Sequence, residues 1–288
     1  MAEPESAKQL VSVYLKKLLE ERSYGRIQVA IETGSRRNTR EALMALRQGK
    51  VQIVIPEIRS LCDQTPHLRI YELPFLFRDR EQLHQAIDSG IGDKALNTLS
   101  DQQLILLGIW EKGTRQLLAN RDLSSPQAVA SEFFSGAGDA IATTFFRQLS
   151  SCQPPGQSAE RRERTWREAT LKEVLKQENT ATHNDLTLTN HSVSGCALLT
   201  HENFWNKLPE DLKVIVADAV KDATHYAREL AEQADREALK QILDEERISV
   251  HQPTERQWQL WQKTLLRLYS QQCDEVELNF IEQVAKIR

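Results

Sequence analysis

The chain has 288 residues, of which 40% are apolar, and its 37 Lys and Arg against 41 Asp and Glu leave a net charge of −4. This length can bury one large core or two smaller ones, and the usual domain size favours two lobes. The charge balance excludes a basic surface for nucleic acid, and no apolar run approaches the roughly 18 residues of a membrane-spanning helix.

The cysteines and histidines predict no metal or cofactor site. No two cysteines have the two-residue spacing of a zinc knuckle or a redox dithiol, and His201-Glu202 lacks a second histidine four positions on. We expect unpaired, mostly buried thiols, although an oxidising compartment would permit one disulfide. The four positions are Cys62, Cys152, Cys196 and Cys273.

The N-terminal part predicts a helix, a strand, a second helix and a second strand. Apolar residues recur at helical spacing over 10–19, and alternate with polar ones over 27–31. Asn38 or Thr39 can cap the next helix, with Glu41 completing a capping box. A buried strand is expected over 51–55. A strand, helix, strand order favours a parallel sheet.

The middle of the chain alternates helices and strands less regularly. Helices are expected near 79–87 and 93–99, and strands at 104–110, 117–120, 186–188 and 196–199. Residues 148–184 contain a Pro-Pro-Gly break and crowded arginines but few apolar residues. We therefore expect this stretch to be mobile or poorly packed.

The C-terminal part predicts one unusually long helix. Neither glycine nor proline interrupts the chain from Glu210 to about Glu246, and an apolar stripe continues throughout. A short strand at 248–250 and a final helical region follow. Trp258 and Trp261 in that region are expected to pack in a core or hinge rather than to bind a ligand.

Several segments, in shared order and spacing, resemble the extracytoplasmic binding proteins of tripartite ATP-independent periplasmic (TRAP) transporters, of the C4-dicarboxylate-receptor type. The most characteristic are Tyr-Glu-Leu-Pro-Phe-Leu-Phe-Arg-Asp at 71–79, Trp-Glu-Lys-Gly-Thr-Arg at 110–115 and Leu-Thr-Leu-Thr-Asn-His at 186–191. Shorter similar stretches include Gln-Glu-Asn at 177–179 and Leu-Pro at 208–209. The resemblance covers most of the chain.

The resemblance implies an α/β fold of two lobes, like a type II periplasmic binding protein, with hinge strands and a long helix spanning both lobes. We expect lobe I to comprise 1–118 and 200–247, and lobe II 119–199 and 248–288. The implied protein is a periplasmic monomer without cofactors that passes a small organic acid to the membrane permease subunits of a TRAP transporter. The family's signal peptide and first strand are missing from this chain.

The resemblance also implies the ligand-binding residues. Arg115 matches an arginine that approaches the ligand, and Asn179 matches an amide that bonds the ligand's polar end. A further arginine, which pins the ligand carboxylate in the family, is absent from 131–136, around Phe134. The alternatives are that Arg115 is a solvated or salt-bridged surface residue and that Asn179 only serves a turn.

Three functions remain open from the sequence. The first is a carboxylate receptor that closes on its ligand and presents the closed form to a membrane partner. The second is a degenerate receptor retained as a sensory or protein-interaction module without tight carboxylate binding, because of the missing arginine. The third is an α/β enzyme, for which the residues supply no nucleophile, base or metal set. We expect no catalysis.

Overall fold

The structure is a computed structural model of the full chain, and it describes residues 6–32, 38–61, 65–91, 99–130, 132–135, 140–149, 165–176 and 183–287. The helices in these ranges are α1 Ala7–Arg22, α2 Thr39–Arg47, α3 Arg80–Asp88, α4 Ala140–Leu149, α5 Leu171–Leu175, α6 Glu202–Trp205, α7 Glu210–Glu245, α8 Glu255–Gln272 and α9 Glu275–Val284. The strands are β1 Ile53–Val54, β2 Leu104–Ala119, β3 Phe133–Phe134, β4 Thr165–Thr170, β5 Asp185–His201 and β6 Ser249–His251.

The chain divides into two compact units. The first unit comprises Met1–Pro66, Leu96–Lys112 and Gly195–Gln233, and the second comprises His67–Ala95, Gly113–Ser194 and Ala234–Arg288. Strands β2 and β5 and helix α7 each contribute residues to both units. Residues 67–95, which the sequence-based division placed in lobe I, belong to the second unit.

Local signals define the first two helices, as predicted. Ser6 caps α1 by accepting a hydrogen bond from the Gln9 N–H. Asn38 and Glu41 form the predicted capping box at the start of α2, each side chain accepting a backbone N–H of the other residue. These bonds satisfy donors that the first turn of a helix leaves without partners.

The strand predicted over 27–31 is not formed. Side chains of α1 and its C-cap take the backbone donors that a strand would use: Ser23 Oγ accepts from the Ile27 N–H at 2.9 Å, and Glu20 Oε1 from the Val29 N–H at 2.9 Å. Strand β1 pairs with β5, and this pairing is antiparallel. The expected parallel arrangement around α2 is therefore wrong.

Strands β2 and β5 are each continuous where the sequence predicted two short strands. Each contains a residue with positive φ, Gly113 at 138° and Asn190 at 46°. The described strands pair in the order β1-β5-β2-β4-β3, and β6 pairs with β5. Within the second unit, β4 is antiparallel to β2, whereas β3 runs parallel to β4 and β6 parallel to β5.

The core of the first unit lies between α1, the strands and the first part of α7. Tyr14 of α1 and Tyr226 of α7 pack with ring centroids 4.9 Å apart, and Arg22 forms an ion pair with Asp222. The fully buried members of this core are Val11, Leu15, Leu18, Leu19, Trp110, Leu198, Val216, Ala219, Val220, Ala223 and Ala227. The predicted stripe on α7 thus packs as a helix face should.

The second unit has an apolar core that includes part of the stretch expected to be poorly packed. In β4 and α5, Trp166, Ala169, Leu171 and Val174 are buried. That expectation is wrong for 165–176, because the few apolar residues there all face inward. The remaining residues of 148–184, apart from 148–149 and 183–184, lie outside the described part of the chain.

Helix α7 has 36 residues, about 54 Å at 1.5 Å per residue, close to the predicted length. Among the described residues, none of the helices combines the length and apolar character needed to cross a bilayer. Cys196 and Cys273 are free thiols, the first buried and the second partly buried. Cys62 and Cys152 lie outside the described residues.

Candidate functional site

Arg115 lies on β2 in the second unit, with 11% of its side chain exposed. Its Nη1 is 2.9 Å from Oε1 of Glu168, whose side chain is 4% exposed. The distance is that of an ion pair, although no hydrogen bond forms at this contact because its angles are unfavourable. The reading of Arg115 as a salt-bridged residue is confirmed, but the residue is buried rather than on the surface.

The register of β2 and β4 brings this pair together. Arg115 is opposite Thr170, and Leu117 is opposite Glu168. Side chains two apart on one strand share a face, so Glu168 lies diagonally across from Arg115 on the same side of the sheet. The buried neighbours Trp166 and Ala169 fix β4 in this position.

A buried histidine continues the polar contacts from Glu168. His191 Nε2 lies 3.4 Å from Oε2 of Glu168, and its Nδ1 lies 2.7 Å from Oγ1 of Thr189. The ring stacks on Phe75 at a centroid distance of 5.2 Å and an interplanar angle of 22°. Phe75 also donates its backbone N–H to the His191 carbonyl, at 2.5 Å.

Phe75 joins the Leu-Pro-Phe segment to this histidine in a strained conformation. Its φ of 61° is unusual for a residue with a side chain. Trp261 covers the other face of the Phe75 ring at 5.1 Å and 3°, and its Nε1–H donates to the Leu123 carbonyl. This packing confirms the expectation that Trp261 belongs to a core.

The opposite face of β2 carries Thr114 and Gln116. The Gln116 side chain donates to Oδ1 of Asn190 at 2.7 Å and accepts the Asn190 backbone N–H at 2.9 Å. It also donates to Oγ1 of Thr114 at 3.0 Å. The segment that carries Arg115 is therefore bonded to β5 by side chains on the far side of the strand.

The Arg115 guanidinium retains the capacity to bind an anion. A guanidinium has five N–H donors in one plane, and that plane matches a carboxylate. Nε of Arg115 is buried and has no hydrogen-bond partner among the described residues. The described residues contain no cluster of three or more side chains that could hold a metal ion.

The other predicted positions are less informative. Asn179 lies outside the described residues. Near Phe134, the structure forms the short strand β3, and Phe134 packs against Phe146 and Trp166. The described residues 132–135 include no arginine, so this segment contributes aromatic packing.

Sequence reasoning missed Glu168, although it singled out both segments that contain Arg115 and His191. Glu168 belongs to the stretch judged poorly packed, and its alternating burial was the signal overlooked. The pattern Thr-Trp-Arg-Glu-Ala-Thr at 165–170 is typical of a short strand.

Comparison with known proteins places the chain in a family. The C4-dicarboxylate-binding protein DctB of Bacillus subtilis (strain 168) is 24% identical over 262 residues, covering 88% of this chain and 75% of that protein. The C4-dicarboxylate-binding periplasmic protein DctP of Shewanella loihica (strain ATCC BAA-1088 / PV-4) is 25% identical over 289 residues, covering 94% and 83%.

A solved structure shares the fold. The TRAP periplasmic solute-binding protein of Sulfurospirillum deleyianum DSM 6946, with bound succinate, superposes with a TM-score of 0.75 at 22% identity, covering 100% of this chain and 96% of that one. The α/β fold of TRAP solute-binding proteins, predicted from the resemblance, is confirmed. The sequence model of the bacterial extracellular solute-binding protein family 7 matches residues 1–129 and 167–275, and the chain belongs to that family.

Proposed function

We propose that this protein binds a small organic acid through a carboxylate held by Arg115. The observation that carries the proposal is the buried guanidinium, ion-paired with Glu168 and with Nε lacking a partner among the described residues. Glu168 neutralises the arginine and orients it in the absence of ligand. A ligand carboxylate uses the donor groups that Glu168 does not engage.

The relatives support this class of ligand. Two of them are named as C4-dicarboxylate-binding proteins, and a protein of the same fold holds succinate. We therefore propose a C4-dicarboxylate or a related organic acid as the ligand. Asn179 remains a proposed partner for the polar end of that ligand.

The absence of an arginine around Phe134 makes Arg115 the main charged partner for the ligand in this proposal. A charge-assisted bidentate contact contributes more than a neutral hydrogen bond, so losing one of two such contacts weakens binding substantially. We accordingly expect an affinity lower than two arginines would provide.

The family supports an extracytoplasmic role in transport. We propose that the protein acts in the periplasm as a monomer and delivers its ligand to the membrane permease subunits of a TRAP transporter. In this role the protein binds and releases an unchanged molecule, and catalysis has no part.

Isothermal titration calorimetry tests the proposal directly. Purified protein is titrated with succinate, L-malate, 2-oxoglutarate and galactonate, and with neutral succinamide as the control for carboxylate dependence. We expect saturable heat with at least one acid and none with succinamide. No heat with any acid across a millimolar range would contradict the proposal and favour a degenerate receptor acting as a sensory or interaction module.

A further inference from the structure

A carboxylate on α7 binds the backbone of β2 next to Arg115. Oδ2 of Asp235 accepts hydrogen bonds from the Thr114 N–H and from the Thr114 hydroxyl, each at 2.8 Å. Arg80 of α3 forms an ion pair with the same oxygen. All three residues belong to the second unit, and the Asp235 side chain is only 14% exposed.

The residue before Thr114 leaves space for this contact. Gly113 has a φ of 138°, a conformation that side-chain-bearing residues rarely adopt, and a Cβ there would lie 2.7 Å from Oδ1 of Asp235. The glycine thus permits both the turn of the backbone and the close approach of the carboxylate. Gly113 and Ala234 are also the residues at which β2 and α7 enter the second unit.

These contacts restrain the peptide that carries Arg115. Thr114 and Gln116 flank Arg115 and point to the other face of the strand. Asp235 binds Thr114, and Asn190 exchanges two hydrogen bonds with Gln116. The backbone on either side of Arg115 is therefore bonded to a neighbouring element through a side chain.

We propose that Asp235 is a positioning residue that orients Arg115 for the ligand carboxylate. This inference rests on the proposed role of Arg115. Two parallel hydrogen bonds require the guanidinium plane to coincide with the carboxylate plane, and small displacements of a charged partner lower its contribution. The Asp235 carboxylate fixes the backbone from which that plane extends.

The test measures acid binding by calorimetry with the tightest acid of the panel named above. Asp235→Asn keeps the shape of the side chain and removes its charge, and Asp235→Ala removes both acceptors. We expect roughly ten- to hundredfold weaker binding for Asp235→Ala and a smaller loss for Asp235→Asn, in line with the usual contribution of hydrogen bonds to a charged group. Asp244→Ala, an exposed position on the same helix, is the matched control and should bind like the wild type.

A second pair of variants removes one hydrogen bond without touching the carboxylate. Thr114→Val loses the hydroxyl and should weaken binding, whereas Thr114→Ser keeps a hydroxyl and should restore most of the affinity. In the Arg115→Lys background, Asp235→Ala should have a much smaller effect, because no planar group remains to be oriented. Equal losses of affinity in both backgrounds would indicate a purely structural role and would overturn the proposal.

A ligand-free measurement separates this inference from the proposed function. The Arg115 Nε–Hε resonance in a nitrogen-15 NMR spectrum reports the order of the guanidinium. Asp235→Ala should shift or broaden it, and Asp244→Ala should not. If the wild type bound no acid, the proposed function would fail while this spectrum still decided the positioning role. An unchanged resonance in Asp235→Ala, in protein shown to be folded, would contradict it.

Discussion

The Arg115 guanidinium and the Glu168 carboxylate form a buried ion pair, 2.9 Å between Nη1 and Oε1. Taking two charges out of water is costly, and the attraction between them offsets most of that cost only while both are present. The pair is therefore expected to matter little as a source of stability but a great deal if one partner is removed. Such an arrangement suits a group that has to remain charged in a dry place until a ligand arrives.

We predict that removing Glu168 alone destabilises the protein. Glu168→Ala leaves the Arg115 charge buried without its carboxylate, which typically costs about 3–5 kcal/mol. Urea unfolding followed by circular dichroism measures the free energy. Glu173→Ala, on the adjacent helix α5, is a control for a less buried carboxylate and should cost about 1 kcal/mol through its capping bond. A loss below 1 kcal/mol for Glu168→Ala would mean that the ion pair is not formed.

The Gly113→Ala substitution is predicted to destabilise by two separate causes. The φ of 138° is unfavourable for alanine, and the added Cβ would meet Asp235 at 2.7 Å. We expect a loss of roughly 2–4 kcal/mol in the free energy of unfolding. Gly25→Ala is the matched control: its φ is 76°, but nothing lies within 4 Å of the added Cβ.

Comparing the two glycines isolates the contact with Asp235. Gly25→Ala should show backbone strain alone, about 1 kcal/mol. Combining Gly113→Ala with Asp235→Ala should recover part of the loss, because the clash disappears while the strain remains. Strict additivity in the double variant would argue against the close approach.

A second ion pair, between Arg69 and Glu277, is predicted to stabilise the C-terminal helix. Arg69 donates from Nε to Oε1 of Glu277 at 2.7 Å and from an Nη to Oε2 at 2.8 Å. Glu277 is almost fully buried, so its removal leaves the guanidinium without a partner on that side. Glu277→Ala should cost about 3 kcal/mol, whereas the exposed Glu275→Ala on the same helix should cost under about 0.5 kcal/mol. Equal losses would show that the pair contributes nothing specific.

His183 should make stability depend on pH. Burial, and then the charge of Arg167, lower the pKa of His183 from 6.5 to about 4. The folded protein therefore holds the neutral ring, and the unfolded chain binds a proton at a higher pH. The resulting stabilisation is complete above about pH 6.5 and is lost as the pH falls towards 4.

Chemical denaturation at several pH values checks this dependence. Wild type should lose stability between pH 6.5 and 4.5 more steeply than His183→Gln, which cannot bind the proton. His225→Gln, at an exposed position of α7, should follow the wild type. Parallel curves for wild type and His183→Gln would show that His183 titrates normally.

The sequence predicted those elements whose signals are local. The capping box of Asn38 and Glu41 and the uninterrupted run from Glu210 to Glu245 both depend on neighbouring residues, and both are present. The continuity of β2 was not predictable in the same way. Its glycine at 113 is usually a sign of a break, and only the carboxylate of Asp235, 122 positions away in the chain (235 − 113), explains why it is needed.

The candidate site was predictable in part for the same reason. Arg115 was found because the segment around it resembles a known family, but its partner Glu168 depends on the pairing of β2 with β4. Register between distant strands is a tertiary property, since a shift of one residue moves every side chain to the other face. No local pattern around Arg115 could have identified the carboxylate that holds it.

The central claim is that Arg115 binds the carboxylate of the ligand, and calorimetric titration of Arg115→Lys tests it most directly. Lysine keeps a positive charge for Glu168 and loses the planar, two-bond contact. We predict at least tenfold weaker binding of the preferred acid, with a folded protein by circular dichroism, and unchanged binding in the exposed control Arg121→Lys. Unchanged affinity in Arg115→Lys would contradict the account.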